Sequence, residues 1–254
     1  MLLPPKLTCA CLQISAIQND FQAAQRLKGI PCVRSLVALS EDAETVTLTY
    51  SPAAPPAQRG AEGELTLLEY IKSAGKLDED EARLIFSQVA TALACCHDRL
   101  VVLRDLKLPS VLINPATKRI RLADFSHASV LEREDQLLTD RRGSPAYICP
   151  EVVIGQPYRG DIADCWSLGV LLYAMLCGTF PFADSTPMGL FEKIVKATVA
   201  YPGHLSPEAC SLLRGLLKPG PSSRLSAREA LEHHWLEPLC EEDDDDQTVP
   251  DMMD

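Results

Sequence analysis

With 254 residues, 46% of them hydrophobic, the chain can bury one sizeable core. Its net charge of −11 is uneven: residues 237–254 hold nine acidic side chains and no basic one, which leaves 1–236 at −2. A nearly neutral body with an acidic end argues against nucleic-acid binding, which would need a basic patch. The opening Met-Leu-Leu-Pro-Pro-Lys is too short and too Pro-broken for a signal peptide.

In chain order, residues 7–17 and 45–50 are β-branched and apolar and predict strands. Between them, 20–28 predicts a short helix capped by Asp20. Residues 51–63 are rich in Pro, Ala and Gly and predict a linker. Over 78–97 the residues Ala82, Ile85, Phe86, Val89, Leu93 and Ala94 share the face of a core helix. Short strands are expected at 111–114 and 119–123 around a turn at 115–117, and helices at 161–177, 187–198, 206–217 and 226–234. The layout is α+β: a small β-containing front (1–50), the linker (51–63), a large helical body (64–236) and an acidic tail (237–254). The longest apolar stretch, 167–180, is too short to span a bilayer and contains Gly169 and Gly178, so no membrane contact is expected.

The ten cysteines include no Cys-x-x-Cys pair. Cys95, Cys165 and Cys177 lie in apolar segments and read as core residues, and no metal role is expected of Cys9 and Cys11. A reducing compartment follows, cytoplasmic or nuclear.

Chemistry-bearing motifs begin at Leu103-Arg104-Asp105-Leu106-Lys107, with Asp124-Phe125-Ser126 nineteen residues after Asp105. Cys149-Pro150-Glu151, Asp164-Cys165-Trp166-Ser167-Leu168-Gly169 and Arg224 follow. In this order and spacing they resemble the catalytic loop, metal loop, Ala-Pro-Glu motif, buried-helix motif and late arginine of protein kinases. The resemblance covers roughly residues 8–236 and implies a two-lobe kinase-like fold with a reduced N-terminal β lobe and a helical C-terminal lobe. It assigns Glu151 and Arg224 to a structural ion pair and Asp164 to a bond with the catalytic-loop backbone. Tyr147 and Trp166 read as core residues.

Against the family pattern, several parts of the catalytic apparatus are changed. Leu103 replaces the His of the catalytic loop. Twelve residues precede Gln13, none of them Gly, so a glycine-rich phosphate loop is either cut away or missing. Gln13 stands at the place of the phosphate-holding Lys, and Gln22 or Gln25 at that of its Glu partner. Ser110 replaces the metal-binding Asn, and Ser126 the Gly after the metal-binding Asp. Asp105, Lys107 and Asp124 remain. Asp105 is expected either to organise the loop or to accept a hydroxyl proton, Lys107 to contact a γ-phosphate, and Asp124 to hold one Mg²⁺. ATP and Mg are thus expected to bind weakly or not at all.

Within the kinases, residues 102–108 and 143–147 look like the Tribbles pseudokinases and their SHIK-type relatives, while 139–148 and 155–160 look closest to the SHIK type. Typical Tribbles proteins lose the metal-loop Asp, so Asp124 is a departure. Asp246-Gln247-Thr248-Val249-Pro250-Asp251 resembles the motif by which Tribbles proteins engage the WD-repeat propeller of the constitutive photomorphogenic ubiquitin ligase. The plain alternative for this tail is a solvated acidic end. His233-His234-Trp235-Leu236 resembles the segment linked in Tribbles proteins to MAP kinase kinase binding, with His234 in place of Pro. Its alternative is a Trp plug that closes the core.

The resemblance implies an adaptor that brings a degradation substrate, such as a transcription factor, to a ubiquitin ligase. The competing readings are a weak or atypical serine/threonine kinase, and a decoy pseudokinase with an inert tail. The resemblance implies that Arg104 stands where active kinases pair an arginine with a phosphate on the activation segment, and Ser129, Thr139 and Ser144 are candidate phosphosites, though Ser and Thr are common in loops.

Overall fold

Helix α1 (Ile14–Arg26) opens the computed structural model, which describes residues 14–30, 32–34, 36–41, 46–50 and 63–237, with the backbone alone at 14–18, 36–41 and 46–50. The strand expected over 7–17 is helical from Ile14 onward, and Asp20 lies inside the helix instead of capping it. Burial of Ala23, Ala24 and Leu27 at helical spacing outweighs the β preference of the isoleucines at its start. A hairpin follows, β1 (Leu36–Glu41) and β2 (Val46–Tyr50), antiparallel with an irregularity between Leu36 and Ala38. The sequence signalled β2 and not β1. The run Leu36–Leu39 is apolar without alternation, so its period is silent.

After the segment 51–62, which lies outside the described residues, come β3 (Leu65–Thr66) and α2 (Leu67–Ala74). Thr66 and Glu69 cap α2 reciprocally. Helix α3 (Glu79–Asp98) starts at the cap Asp78, and its first-turn acids Glu79, Asp80 and Glu81 suit the positive end of the helix. Strand β4 (Val101–Val102) leads into the catalytic loop. Then come β5 (Val111–Ile113) and β6 (Ile120–Leu122), which with β3 form a three-stranded sheet in the order β3-β5-β6. Strand β7 (Ser129–Val130) pairs with β4, and β8 (Leu137–Leu138) pairs with β9 (Tyr158–Arg159). Between β8 and β9 lies the short α4 (Pro150–Val153).

Helix α5 (Gly160–Cys177) is the core of the C-terminal body. It is long and apolar enough to cross a bilayer, yet its side chains are buried in protein nearly all round. Against it packs α7 (Pro207–Leu216), while α6 (Pro187–Lys196) packs on α4 and α8 (Ala227–Leu231) on α3, each opened by a Thr or Ser cap. Small sheets and a helical body make the α+β fold that the sequence layout implied.

Two constellations close the body. Arg224 donates to both carboxylate oxygens of Glu151 at 2.7 and 2.9 Å and to the carbonyls of Lys218 and Ile162, with both side chains buried. Its guanidinium lies 5.1 Å from the ring centroid of Trp166, which stacks on Phe182 at 5.5 Å. At the other end Trp235, 2% exposed, meets Phe86 edge-on at 5.8 Å, and its Nε1–H donates to Glu79 at 2.9 Å. Glu79 also accepts the backbone N–H and the hydroxyl of Ser206, each at 2.7 Å. Burial alone would push the Glu79 carboxyl up. These hydrogen bonds and Arg83 outweigh it and hold the group below the usual range. The Trp235 indole therefore fills the core, with His234 exposed beside it and Leu236 packed at the core edge.

Cys165 is fully buried, whereas Cys95 and Cys177 lie half-buried at the core edge, and no described cysteine forms a disulfide. Burial pushes the Cys149 thiol up to about 12, as suits a packing residue.

Glu151→Ala would leave a buried guanidinium without its anion. It should cost about 3–5 kcal/mol, read as a lower midpoint in chemical denaturation.

Candidate functional site

The catalytic loop hangs from one carboxylate. Asp164, on α5 and 1% exposed, accepts the backbone N–H of Leu103 and that of Arg104, both at 2.7 Å. His97 Nε2 lies 3.0 Å from the same carboxylate. With both amides fixed, Arg104 adopts φ 65°, a left-handed conformation that costs free energy in a non-glycine residue. Gly143 packs on this bend. At its φ of 121° a Cβ would sit 2.8 Å from the Arg104 carbonyl oxygen, so only glycine fits.

Asp105 follows, 7% exposed. Its Oδ1 accepts the Ser144 N–H at 2.6 Å, and its Oδ2 pairs with the Lys107 ammonium. Lys107 Nζ also reaches the Ser144 hydroxyl at 3.2 Å, and His127 Nδ1 stands 3.7 Å from Oδ2. Both oxygens of the would-be base are thus engaged by the chain itself. Ser110 accepts the Lys107 N–H at 3.0 Å and donates to the Lys107 carbonyl at 2.8 Å, so its hydroxyl staples the loop. Behind it the Tyr147 hydroxyl accepts the Leu108 N–H at 3.2 Å, and burial pushes that phenol up to about 12.

Asp124 has also acquired internal partners. Its Oδ1 accepts the Ser126 N–H at 3.1 Å and the Ser126 hydroxyl at 2.7 Å. That hydroxyl lies 3.2 Å from His127 Nδ1. Asp124, Ser126, His127, Asp105 and Lys107 therefore form a continuous chain of polar contacts across the place where a kinase holds metal and phosphate.

Magnesium with ATP is the cofactor of protein kinases as a family, and these residues do not fit it. The metal ligand expected at 110 is a hydroxyl spent on backbone, and one oxygen of Asp124 is spent on Ser126. Magnesium asks for several free oxygen ligands in near-octahedral array. Among the described residues no group of three His, Cys, Asp or Glu side chains is placed to hold a metal ion.

The order of these motifs on α3, the catalytic loop and α5 defines a protein kinase fold. The model of the protein kinase domain matches residues 16–236, and the chain belongs to that family. Within it the sequence is Tribbles-like. It is 41% identical over 174 residues to Tribbles homolog 1 of Homo sapiens, covering 68% of this chain and 47% of the relative. Against Tribbles homolog 2 of Canis lupus familiaris it is 42% identical over 169 residues, 66% of this chain and 49% of the relative. Against serine/threonine-protein kinase 40 of Xenopus tropicalis it is 44% identical over 170 residues, 66% of this chain and 38% of the relative. The chain spans about half the length of the Tribbles relatives it matches.

Of the residues singled out in the sequence, the structure pairs Asp105 with Lys107, sets Ser110 on the Lys107 backbone and links Asp124 to them through Ser126 and His127, while Asp164 holds the loop amides and Glu151 pairs with Arg224. Gln13 and the tail residues Asp246, Gln247, Val249, Pro250 and Asp251 lie outside the described residues. Gln22 and Gln25 both sit on exposed positions of α1. Sequence reasoning missed His97, His127, Asp140 and Tyr158. Only His127 carried a signal, its place directly after the altered metal loop.

If Asp105 holds the loop and does no chemistry, Asp105→Asn should weaken the fold. The variant should lose about 1–3 kcal/mol, since two charge-assisted contacts go. Thermal denaturation checks this; an unchanged midpoint would count against the structural role.

Proposed function

We propose that this chain is a pseudokinase adaptor. Its helical lobe holds a degradation substrate, and its tail recruits a ubiquitin ligase through Asp246-Gln247-Thr248-Val249-Pro250-Asp251. The observation that carries the reading is the internal consumption of the catalytic groups. Asp105, Lys107, Ser110 and Asp124 all bond to their own chain, while the scaffold contacts of Asp164, Glu151 and Arg224 are intact. Phosphoryl transfer depends almost wholly on positioning and charge neutralisation, so it fails when those groups are spent. A surface for partners does not need them.

The Tribbles-like sequence supports the recruitment half of the reading, because the tail motif stands beside a domain of that kind. Joining two docking elements in one chain raises the effective concentration of ligase near substrate, so ubiquitin transfer gains without a new contact. Val249 and Pro250 would supply the apolar anchor, Pro250 lowering the entropy lost on binding, and Asp246 and Asp251 the charges that pair with basic residues of a propeller. The same reading places the protein in cytoplasm or nucleus. It makes MAP kinase kinases a second class of partner, met through the exposed side of His234 and Leu236.

The test uses the full chain and the ligase's WD-repeat propeller. Saturable binding at micromolar strength or better is expected, lost when Val249 and Pro250 are both replaced by Ala, with kinase activity absent from both proteins. Binding indifferent to the replacement, or phosphate transfer that Asp105→Asn abolishes, would overturn the adaptor reading.

A further inference from the structure

Arg104 is a buried cation, 8% exposed, and every group it meets comes from outside its own loop. Nη1 donates to the Ser129 hydroxyl at 3.0 Å, at the start of the segment that leads from the metal loop to α4. Nε and Nη2 donate to the Tyr158 hydroxyl at 3.2 and 2.9 Å, on β9. Nη2 also donates to the carbonyl of Asp140 and, in a close ion pair, to its carboxylate. The Tyr158 hydroxyl in turn donates to the Asp140 carbonyl at 3.1 Å. Asp140 supplies the one carboxylate within ion-pair reach of this cation among the described residues.

A buried guanidinium without an anion is costly, and the half-exposed Asp140 carboxylate is the anion that meets it. We propose that Asp140 is a permanent anion that latches the segment 126–149 onto the catalytic loop, so that the segment is docked without phosphorylation. Ser129 and Tyr158 complete the cradle with neutral oxygens, which leaves no second anion competing for Arg104.

Neighbouring contacts extend the latch in both directions. Arg142 pairs with the other oxygen of Asp140 at 2.7 Å, and the Arg141 side chain lies flat over Gly155, where a Cβ would meet Nη2 at 2.0 Å. β8 pairs with β9 just before Asp140, and the Asp105 clamp on the Ser144 N–H lies just after it. Of the contacts that hold this stretch, the Arg104–Asp140 pair is the one that joins opposite charges between the catalytic loop and residues 129–142. Burial would push the Asp140 carboxyl up, but the hydrogen bond and charge of Arg104, with Arg142, hold it below its ordinary value. A depressed carboxyl keeps its contribution above the unfolded-state value and loses it only as pH falls through the folded one. The latch is therefore closed throughout the neutral range.

The inference does not depend on recruitment of a ligase. It is tested by hydrogen exchange, followed by mass spectrometry, on the full chain and three variants. In Asp140→Asn the amides of residues 136–144 should exchange about tenfold faster, as loss of a charge-assisted bond raises the open population, with the rest of the lobe unchanged. Asp140→Glu keeps the charge and should keep most of the protection. Asp135→Asn removes a carboxylate from an exposed pair with Arg133 and should exchange as the parent does. Equal exchange in Asp140→Asn and the parent would overturn the proposal. So would equal loss in Asp140→Glu, or in Asp135→Asn. Global unfolding of Asp140→Asn would overturn it too, because the pair would then belong to the fold and not to a latch.

Discussion

The rest of the structure depends on where the Asp164 carboxylate points. It sits on the most buried helix and takes both amides of the catalytic loop, so the backbone of residues 103 and 104 is fixed from below. Every later feature follows from that fixture. Arg104 is forced left-handed, which sends its guanidinium toward the segment 126–149 and Asp105 toward Ser144. Gly143 must then be glycine to pass over the bend. Moving Asp164 would displace the loop and everything seated on it, whether or not the loop does chemistry.

The polar groups of this lobe thus divide by partner. Asp164, Glu151 and Arg224 bond across elements distant in sequence and hold helices together. Asp105, Lys107, Ser110, Asp124 and Ser126 bond among themselves and to the neighbouring His127 and Ser144. The first group ties distant elements together and so serves the fold directly. In the second, the buried Asp105 and Ser110 find partners on their own loop and on Ser144, as buried polar atoms must.

Much of this was legible in the sequence, for reasons that differ by region. The helix from Asp78 announced itself through the period of its apolar face, and the hairpin around 115–117 through its turn residues. Motif spacing placed Asp105, Asp124, Glu151, Asp164 and Arg224. The front was harder. Local β preference at 14–17 lost to an amphipathic face that only tertiary contact reveals, and β1 has no alternation to show. The cleft's closure was not legible either. That Ser126 would turn its hydroxyl on Asp124, or that Asp140 and Tyr158 would converge on Arg104, depends on distances between segments that no spacing rule encodes. Trp235 was ambiguous in sequence, and burial of the indole resolved it.

The Ser110 hydroxyl both accepts from and donates to the Lys107 backbone, so position 110 is committed to holding the loop. Returning an asparagine there would remove that staple and crowd a buried position before any metal could be held. Glycine at 126 would release Asp124 while its fellow ligand was still missing. Two substitutions, not one, are therefore needed to give positions 110 and 126 the family's residues, and the first of them removes a staple of the present loop.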